Sequence, residues 1–201
     1  MIDFTRLNRM MVARLVAGAC ALAGVAGCSG FGDREPSSGE PSFYRSLARP
    51  GAELDAAAAQ SMISGYRQNN GLTPLVLDAQ LMGLAQEQAR AMAAKDKLDH
   101  NVGRPFTERM KASGFDAKVA AENISAGYHT IAEAFSGWRD SPPHRANMLL
   151  RGATHMGIAA VYVPGSKYKV FWSLILAAPD DRPTSSSKRG TTGSEGLLVV
   201  Q

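Results

Sequence analysis

The sequence predicts an α+β fold in which helices lie on both faces of a small antiparallel sheet, forming an α-β-α sandwich. Segments with an apolar residue at every third or fourth position, typical of amphipathic helices, are followed by segments rich in β-branched and aromatic residues, typical of strands. The last two predicted strands are joined by Pro-Gly-Ser-Lys at residues 164–167, a short connection that indicates an antiparallel hairpin.

Apolar periodicity predicts the first helices. One covers residues 54–69, where apolar side chains recur every four residues, and the next covers residues 79–95, with Asp78 as its N-cap. A third, shorter helix covers residues 106–113 and ends before Gly114. We expect the apolar faces of these helices to cover the sheet.

A fourth helix and the strands follow from other signals. Thr130 and Glu133 have the spacing of a capping box, so a helix is predicted to begin there. We expect it to end near Asp140, because Pro142 and Pro143 follow. Three strands are predicted from β-branched and aromatic content, at residues 121–128, 156–163 and 168–176.

The first 27 residues have the features of a bacterial secretory signal. Three arginines precede 13 uncharged residues, Leu15 to Gly27, which are too few for a bilayer span of about 20 residues but match a signal-peptide core. The final residues Val25-Ala26-Gly27-Cys28 resemble a lipobox. We therefore expect cleavage before Cys28 and attachment of diacylglyceryl and palmitate there; the alternative is an ordinary secretory signal followed by an unmodified cysteine.

The rest of the chain is predicted to have three parts. Residues 28–50, rich in Ser, Gly, Pro and charge, are expected to form a flexible tether, residues 51–180 the folded domain, and residues 181–201 a disordered tail. Once residues 1–27 are removed, Cys28 is the only remaining cysteine. No disulfide is then possible within the mature chain, so the core must be held by packing alone.

Charge argues against a nucleic-acid partner. The chain carries a formal charge of +4, and residues 1–27 contain three Arg and one Asp, so the mature chain carries +2. No stripe of Lys and Arg interleaved with aromatic residues is present. The sequence therefore indicates no nucleic-acid binding.

Three side chains, each within a distinctive local phrase, form the candidate site. They are His100 in L-D-H-N, Glu122 in E-N-I, and His144 in W-R-D-S-P-P-H-R-A-N-M-L. Two imidazoles and a carboxylate can bind a divalent metal or transfer protons near neutral pH. His129 and His155 lie at the edges of predicted elements, where we expect them to face solvent.

These phrases resemble the CAP superfamily, named for cysteine-rich secretory proteins, antigen 5 and pathogenesis-related 1 proteins, and its SCP-like bacterial branch without disulfides in particular. The resemblance covers roughly residues 54–178 and implies the same α-β-α fold. It also implies a large cleft that presents two His and two acidic residues. Carried onto this chain, the pattern matches His100, Glu122 and His144, whereas the fourth position, often acidic in eukaryotic members, is Ser141.

The resemblance further implies that His100 and His144 can hold a divalent cation such as zinc. Three protein ligands with one open position are typical of catalytic zinc sites. In the alternative, the two imidazoles hydrogen-bond a buried Glu122 and join the helices to the sheet without a metal, because a buried carboxylate without partners is costly. The residues themselves leave both alternatives open.

Two functions are consistent with these features. The first is a cell-envelope lipoprotein that acts as a binding or interaction module, whose cleft takes a lipid or a protein. The second is a metal-dependent envelope hydrolase in which His100 and His144 bind the cation and Glu122 is the base. We favour the first, non-enzymatic function, because Glu122 cannot readily be both ligand and base. The lipid on Cys28 would place the protein on a membrane. In a Gram-negative host this would be the outer membrane, because the residue after Cys28 is Ser29.

Overall fold

The fold was analysed in a computed structural model, which describes residues 39–180 and 198–200. Five strands form one sheet: β1 (Val76–Leu77), β2 (Ala117–Ala126), β3 (His155–Tyr162), β4 (Val170–Pro179) and β5 (Leu198–Val200). Their spatial order is β1-β3-β4-β2-β5. The three long strands pair antiparallel, and the two short outer strands pair in parallel with their neighbours.

The described residues contain five α-helices: α1 (Ala56–Asn69), α2 (Ala79–Lys95), α3 (Phe106–Ala112), α4 (Ile131–Asp140) and α5 (Pro142–Met148). The predicted caps are present. Asp78 accepts the backbone N–H of Leu81, and Thr130 and Glu133 form the reciprocal capping box. Among the described helices, none combines the length and the apolar character needed to cross a membrane.

The helices cover both faces of the sheet, which confirms the predicted sandwich. On one face α1, α4 and α5 pack on alternate residues of β4, with Trp138 perpendicular to Trp172 at a centroid distance of 6.4 Å. On the other face α2 and α3 pack on the intervening residues, including Ile175. A Cβ atom at Gly157 of β3 would collide with the backbone of Leu81 and Met82. That glycine therefore lets α2 approach the sheet at backbone distance.

The region after α4 contains a further helix that was not predicted from the sequence. Pro142 and Pro143 do end α4, but they also begin α5. Proline is favourable in the first turn of a helix, where its missing N–H has no partner to lose. The sequence motif that carries His144 is therefore a helix rather than a loop.

The sheet also differs from the prediction in extent. Strand β2 begins at Ala117, earlier than expected, because an alanine-rich segment gives little β signal. Leu198–Val200, expected to be disordered, form β5 against β2. Residues 1–38, 181–197 and Gln201, which include the predicted signal, Cys28 and most of the tether and tail, lie outside the described residues.

Candidate functional site

The site is centred on Glu122, whose side chain is fully buried in the middle of β2. Its two carboxylate oxygens accept hydrogen bonds from both ends of the Arg109 guanidinium, at 3.0 Å from Nη1 and 2.9 Å from Nη2. Arg109 belongs to α3 and is 1% exposed. Glu122 and Arg109 therefore form a buried, bidentate ion pair between β2 and α3.

His100 joins this pair from the loop after α2. Its Nδ1 lies 2.9 Å from Glu122 Oε2. Because a carboxylate paired with a guanidinium only accepts hydrogen bonds, Nδ1 of His100 is the donor in this contact. Arg109 also donates to the His100 backbone carbonyl at 3.2 Å. The imidazole is thus fixed through both its ring and its main chain.

Two further groups complete the surroundings of the pair. Ser173 Oγ of β4 donates to Glu122 Oε1 at 3.3 Å. The Arg109 Nε donates to the Arg104 carbonyl at 3.1 Å. Each oxygen of Glu122 consequently has two hydrogen-bond partners, and the buried charge is compensated by a cation.

His144 approaches the site from α5 on the other side of β2. Asn123 Nδ2 donates to the His144 carbonyl at 2.9 Å, and Asn147 Nδ2 donates to the Glu122 carbonyl at 3.1 Å. These amides fasten α5 to β2. The half-buried ring of His144 has no hydrogen-bond partner among the described residues. Burial, and secondly the charge of nearby His100, lower the pKa of His144, so its ring is neutral near pH 7.

The other residues singled out in the sequence lie outside this network. Ser141 joins α4 to α5 and makes no capping hydrogen bond with its side chain. His129 is exposed at the start of α4. His155 begins β3, where its Nδ1 lies 2.8 Å from Thr154 Oγ1 and its ring faces Phe115. None of these three side chains is a hydrogen-bond partner of Glu122.

The sequence interpretation missed Arg109, the main partner of Glu122. We expected two imidazoles to satisfy the carboxylate, but only that of His100 hydrogen-bonds it. A signal was present: Arg109 follows Phe106 by three residues and precedes Met110, and both of those are buried on α3. An arginine on the buried side of a helix needs a partner, and a buried glutamate needs a counter-charge.

The donor set does not fit a three-ligand zinc site made of His100, Glu122 and His144. Both oxygens of Glu122 are engaged by Arg109, so coordination would require breaking a buried ion pair. Within residues 39–180, no three His, Cys, Asp or Glu side chains are grouped so that they could hold a metal ion. Only His100 Nε2 and His144 remain as candidate donors, which is fewer than structural or catalytic zinc sites use.

Fold and site together define a class of protein. It is an α-β-α sandwich whose first long strand, β2, contains the sequence E-N-I and is tied by asparagine to a helix that begins at S-P-P-H. Comparison with known protein families identifies this class. The sequence profile described as "CAP: Cysteine-rich secretory protein family" matches residues 60–176. The chain belongs to the CAP family.

Relatives of known sequence or structure agree with this assignment. The uncharacterized protein YkwD of Bacillus subtilis is 38% identical over 103 residues, which cover 50% of this chain and 40% of YkwD. An extracellular SCP-domain protein from Bacillus anthracis aligns with a TM-score of 0.54 at 21% identity, covering 61% of this chain and 39% of the other. The chain thus matches well under half of the length of each of these two proteins.

A third relative is similar in size to the matched region. An outer surface protein from Borrelia burgdorferi aligns with a TM-score of 0.56 at 16% identity, covering 63% of this chain and 93% of the other. At such identities the likeness shows the fold alone. The first of these structural neighbours is described as an extracellular protein containing an SCP domain, and the second as an outer surface protein.

Proposed function

We propose that this protein is a cell-envelope binding module, whose contact surface includes the rings of His100 and His144. In this proposal the ion pair of Glu122 with Arg109 is a structural support for that surface and takes no part in catalysis. One observation carries the proposal: both oxygens of Glu122 are bound by Arg109 in a fully buried position.

The same observation weakens the hydrolase alternative. A general base must reach the proton that it removes, directly or through one water molecule. Glu122 is 0% exposed and holds partners on both oxygens, from Arg109, His100 and Ser173. Freeing it to activate water would leave the guanidinium buried without its counter-charge, which is strongly unfavourable.

The surface that remains is polar and offers hydrogen bonds. The neutral ring of His144 presents one donor and one acceptor, and His100 presents Nε2 as a further hydrogen-bonding atom. Such groups suit a protein or a polar envelope component better than an acyl chain. We therefore propose that the surface around His100 and His144 binds a protein or a polar ligand rather than a lipid tail.

A sedimentation assay tests this proposal. Residues 29–201 are incubated with envelopes from cells that lack the protein, and the bound fraction is measured against concentration. We expect saturable binding that His144→Ala weakens by about tenfold, as expected for the loss of one interface anchor. His129→Ala, which changes an exposed histidine, is the matched control and should bind as the parent does.

The assay also detects the alternative. Material released from the envelopes is measured with and without added zinc. Zinc-dependent release by the parent, absent from envelopes incubated without it, would establish the hydrolase and overturn the proposal. Failure of the parent to bind saturably would overturn it as well.

We further propose that the module is anchored to the membrane by lipid on Cys28. The supporting features are the 13 uncharged residues after three arginines and the sequence Val25-Ala26-Gly27-Cys28. In a Gram-negative host Ser29 favours the outer membrane. Cys28→Ala should release the protein from the membrane fraction, and a variant that stays in that fraction with unchanged mass would contradict the anchor.

A further inference from the structure

The outer edge of β2 offers backbone groups to an added strand. On its inner side β2 pairs with β4 from Ala117 to Ala126. On its outer side it pairs only with the short β5, in parallel, through Val119–Leu198, Ala120–Val199 and Ala121–Val200. An edge strand presents unpaired N–H and C=O groups, which proteins commonly cover or use for recognition.

The connection from β4 does not force β5 onto this edge. The two strands flank β2, so their facing ends are separated by two strand spacings, roughly 10 Å. Residues 180–197 form the connection, and a chain of that length can extend to about 60 Å. Since the connection is several times longer than the gap requires, its length alone does not impose the pairing of β5 with β2.

The charge next to the edge favours one kind of segment. A cavity of about 390 Å³ lies at the end of β2 where β5 begins, and its lining includes Val119, Lys118 and Arg151. A peptide that runs parallel to β2 passes these cations before its aliphatic residues reach Val119. The chain's own sequence Glu195-Gly196-Leu197-Leu198-Val199-Val200 has this order, with an acidic residue ahead of aliphatic ones.

We propose that the outer edge of β2 at Val119–Ala121 is a docking site for an extended aliphatic strand, that Leu198–Val200 of the same chain is its occupant, and that this occupant is exchangeable. A strand of three residues makes few backbone hydrogen bonds, so a free peptide of the same kind can replace it. The inference is independent of the surface proposed around His100 and His144. The parallel direction does, however, lead the docked strand along β2 toward Glu122.

Hydrogen exchange of the full chain tests the proposal. In Val199→Pro the central residue of β5 can no longer donate a hydrogen bond. We expect exchange of the amides of residues 117–121 that point away from β4 to rise by about tenfold through local opening. Ser187→Pro places the same substitution outside β5 and should leave this exchange unchanged. The amides of β3 serve as the internal reference.

Exchangeability is tested by adding a peptide. A peptide of residues 195–201 should restore protection of residues 117–121 in Val199→Pro, whereas the same peptide with proline at its Val199 position should not. A chain ending at Leu197 removes β5 without adding proline, and it must behave as Val199→Pro does.

Several results would overturn the proposal. Unchanged exchange at residues 117–121 in both variants would mean that β5 does not protect the edge. If the peptide fails to restore the lost protection, or if β3 loses protection at the same time, β5 is a fixed part of the fold. Protection that disappears when the parent is diluted would identify the tail of a second copy as the occupant.

Discussion

Two arginines are buried on opposite faces of the sheet, and their partners differ in kind. Arg109 on the α2–α3 face binds a carboxylate, that of Glu122. Arg67 of α1 on the other face donates only to backbone carbonyls, those of Thr73, Met148, Leu150 and Ala153, at 2.9 to 3.0 Å. Burial lowers the pKa of Arg67, because desolvation opposes its charge.

The difference shows two ways to accommodate a buried cation. Carbonyl groups at the end of α5 and in the turn after it carry partial negative charge, which is sufficient where the task is to close a loop. Of these two buried arginines, only Arg109 has a full counter-charge, which is that of Glu122 beside His100. Since Arg67 holds one end of α5 and Asn147 ties that helix to Glu122, the helix that carries His144 is fixed at both its end and its contact with β2.

The largest effect is expected for Arg109→Met. The change leaves Glu122 buried without its cation, which should lower the free energy of unfolding by about 3–5 kcal/mol. Chemical denaturation followed by circular dichroism measures it. Arg104→Met is the control, because Arg104 pairs with Glu87 at 2.7 Å on the exposed surface, where such a pair contributes less than about 1 kcal/mol.

Arg67→Met should lower the free energy of unfolding by less, about 2–3 kcal/mol, because it leaves neutral carbonyl groups, and no charge, without a partner. The same denaturation experiment applies. A loss as large as that of Arg109→Met would show that the carboxylate adds nothing to the burial of a guanidinium, and the distinction between the two faces would disappear.

The layers of this fold could be predicted from the sequence because periodicity, caps and the β-branched segments are local signals. The site residues His100, Glu122 and His144 could be predicted from the sequence phrases that surround them. Arg109 and Arg67 were missed because the partner of a buried charge is chosen by tertiary contact, here between residues 109 and 122 and between residues 67 and 148. Strand β5 was missed for the same reason, since it depends on an edge of β2 that is distant in sequence.

Packing on the α2 side of the sheet can be tested at a glycine. Gly157→Ala should lower the free energy of unfolding by about 1–3 kcal/mol, because the added methyl group collides with the backbone of α2. No side-chain rotation can relieve this collision. Gly83→Ala is the matched control: nothing lies within 4 Å of its Cβ position, so the gain in helix propensity should stabilise by about 0.5–1 kcal/mol. Equal effects of the two changes would mean that α2 is not held at backbone distance.

The smallest effect concerns His144 and pH. Its pKa is lowered in the folded protein from the usual 6.5, so the unfolded chain binds more protons as the pH falls through that value. The melting temperature should therefore fall between pH 7 and pH 5, and His144→Asn should reduce part of that fall. His129→Asn, at an exposed position, should leave the pH dependence as in the parent; an identical profile for His144→Asn would contradict the burial of this ring.

The most direct test of the account is a double-mutant cycle on Arg109 and Glu122. Unfolding free energies are measured for the parent, Arg109→Met, Glu122→Gln and the double variant. Each single change leaves one buried charge uncompensated and should cost about 3–5 kcal/mol, while the double variant should be more stable than the sum of the two losses by at least about 2 kcal/mol. Losses that add to within about 0.5 kcal/mol would show that the two side chains act independently, and would contradict the claim that Glu122 is held in a structural pair.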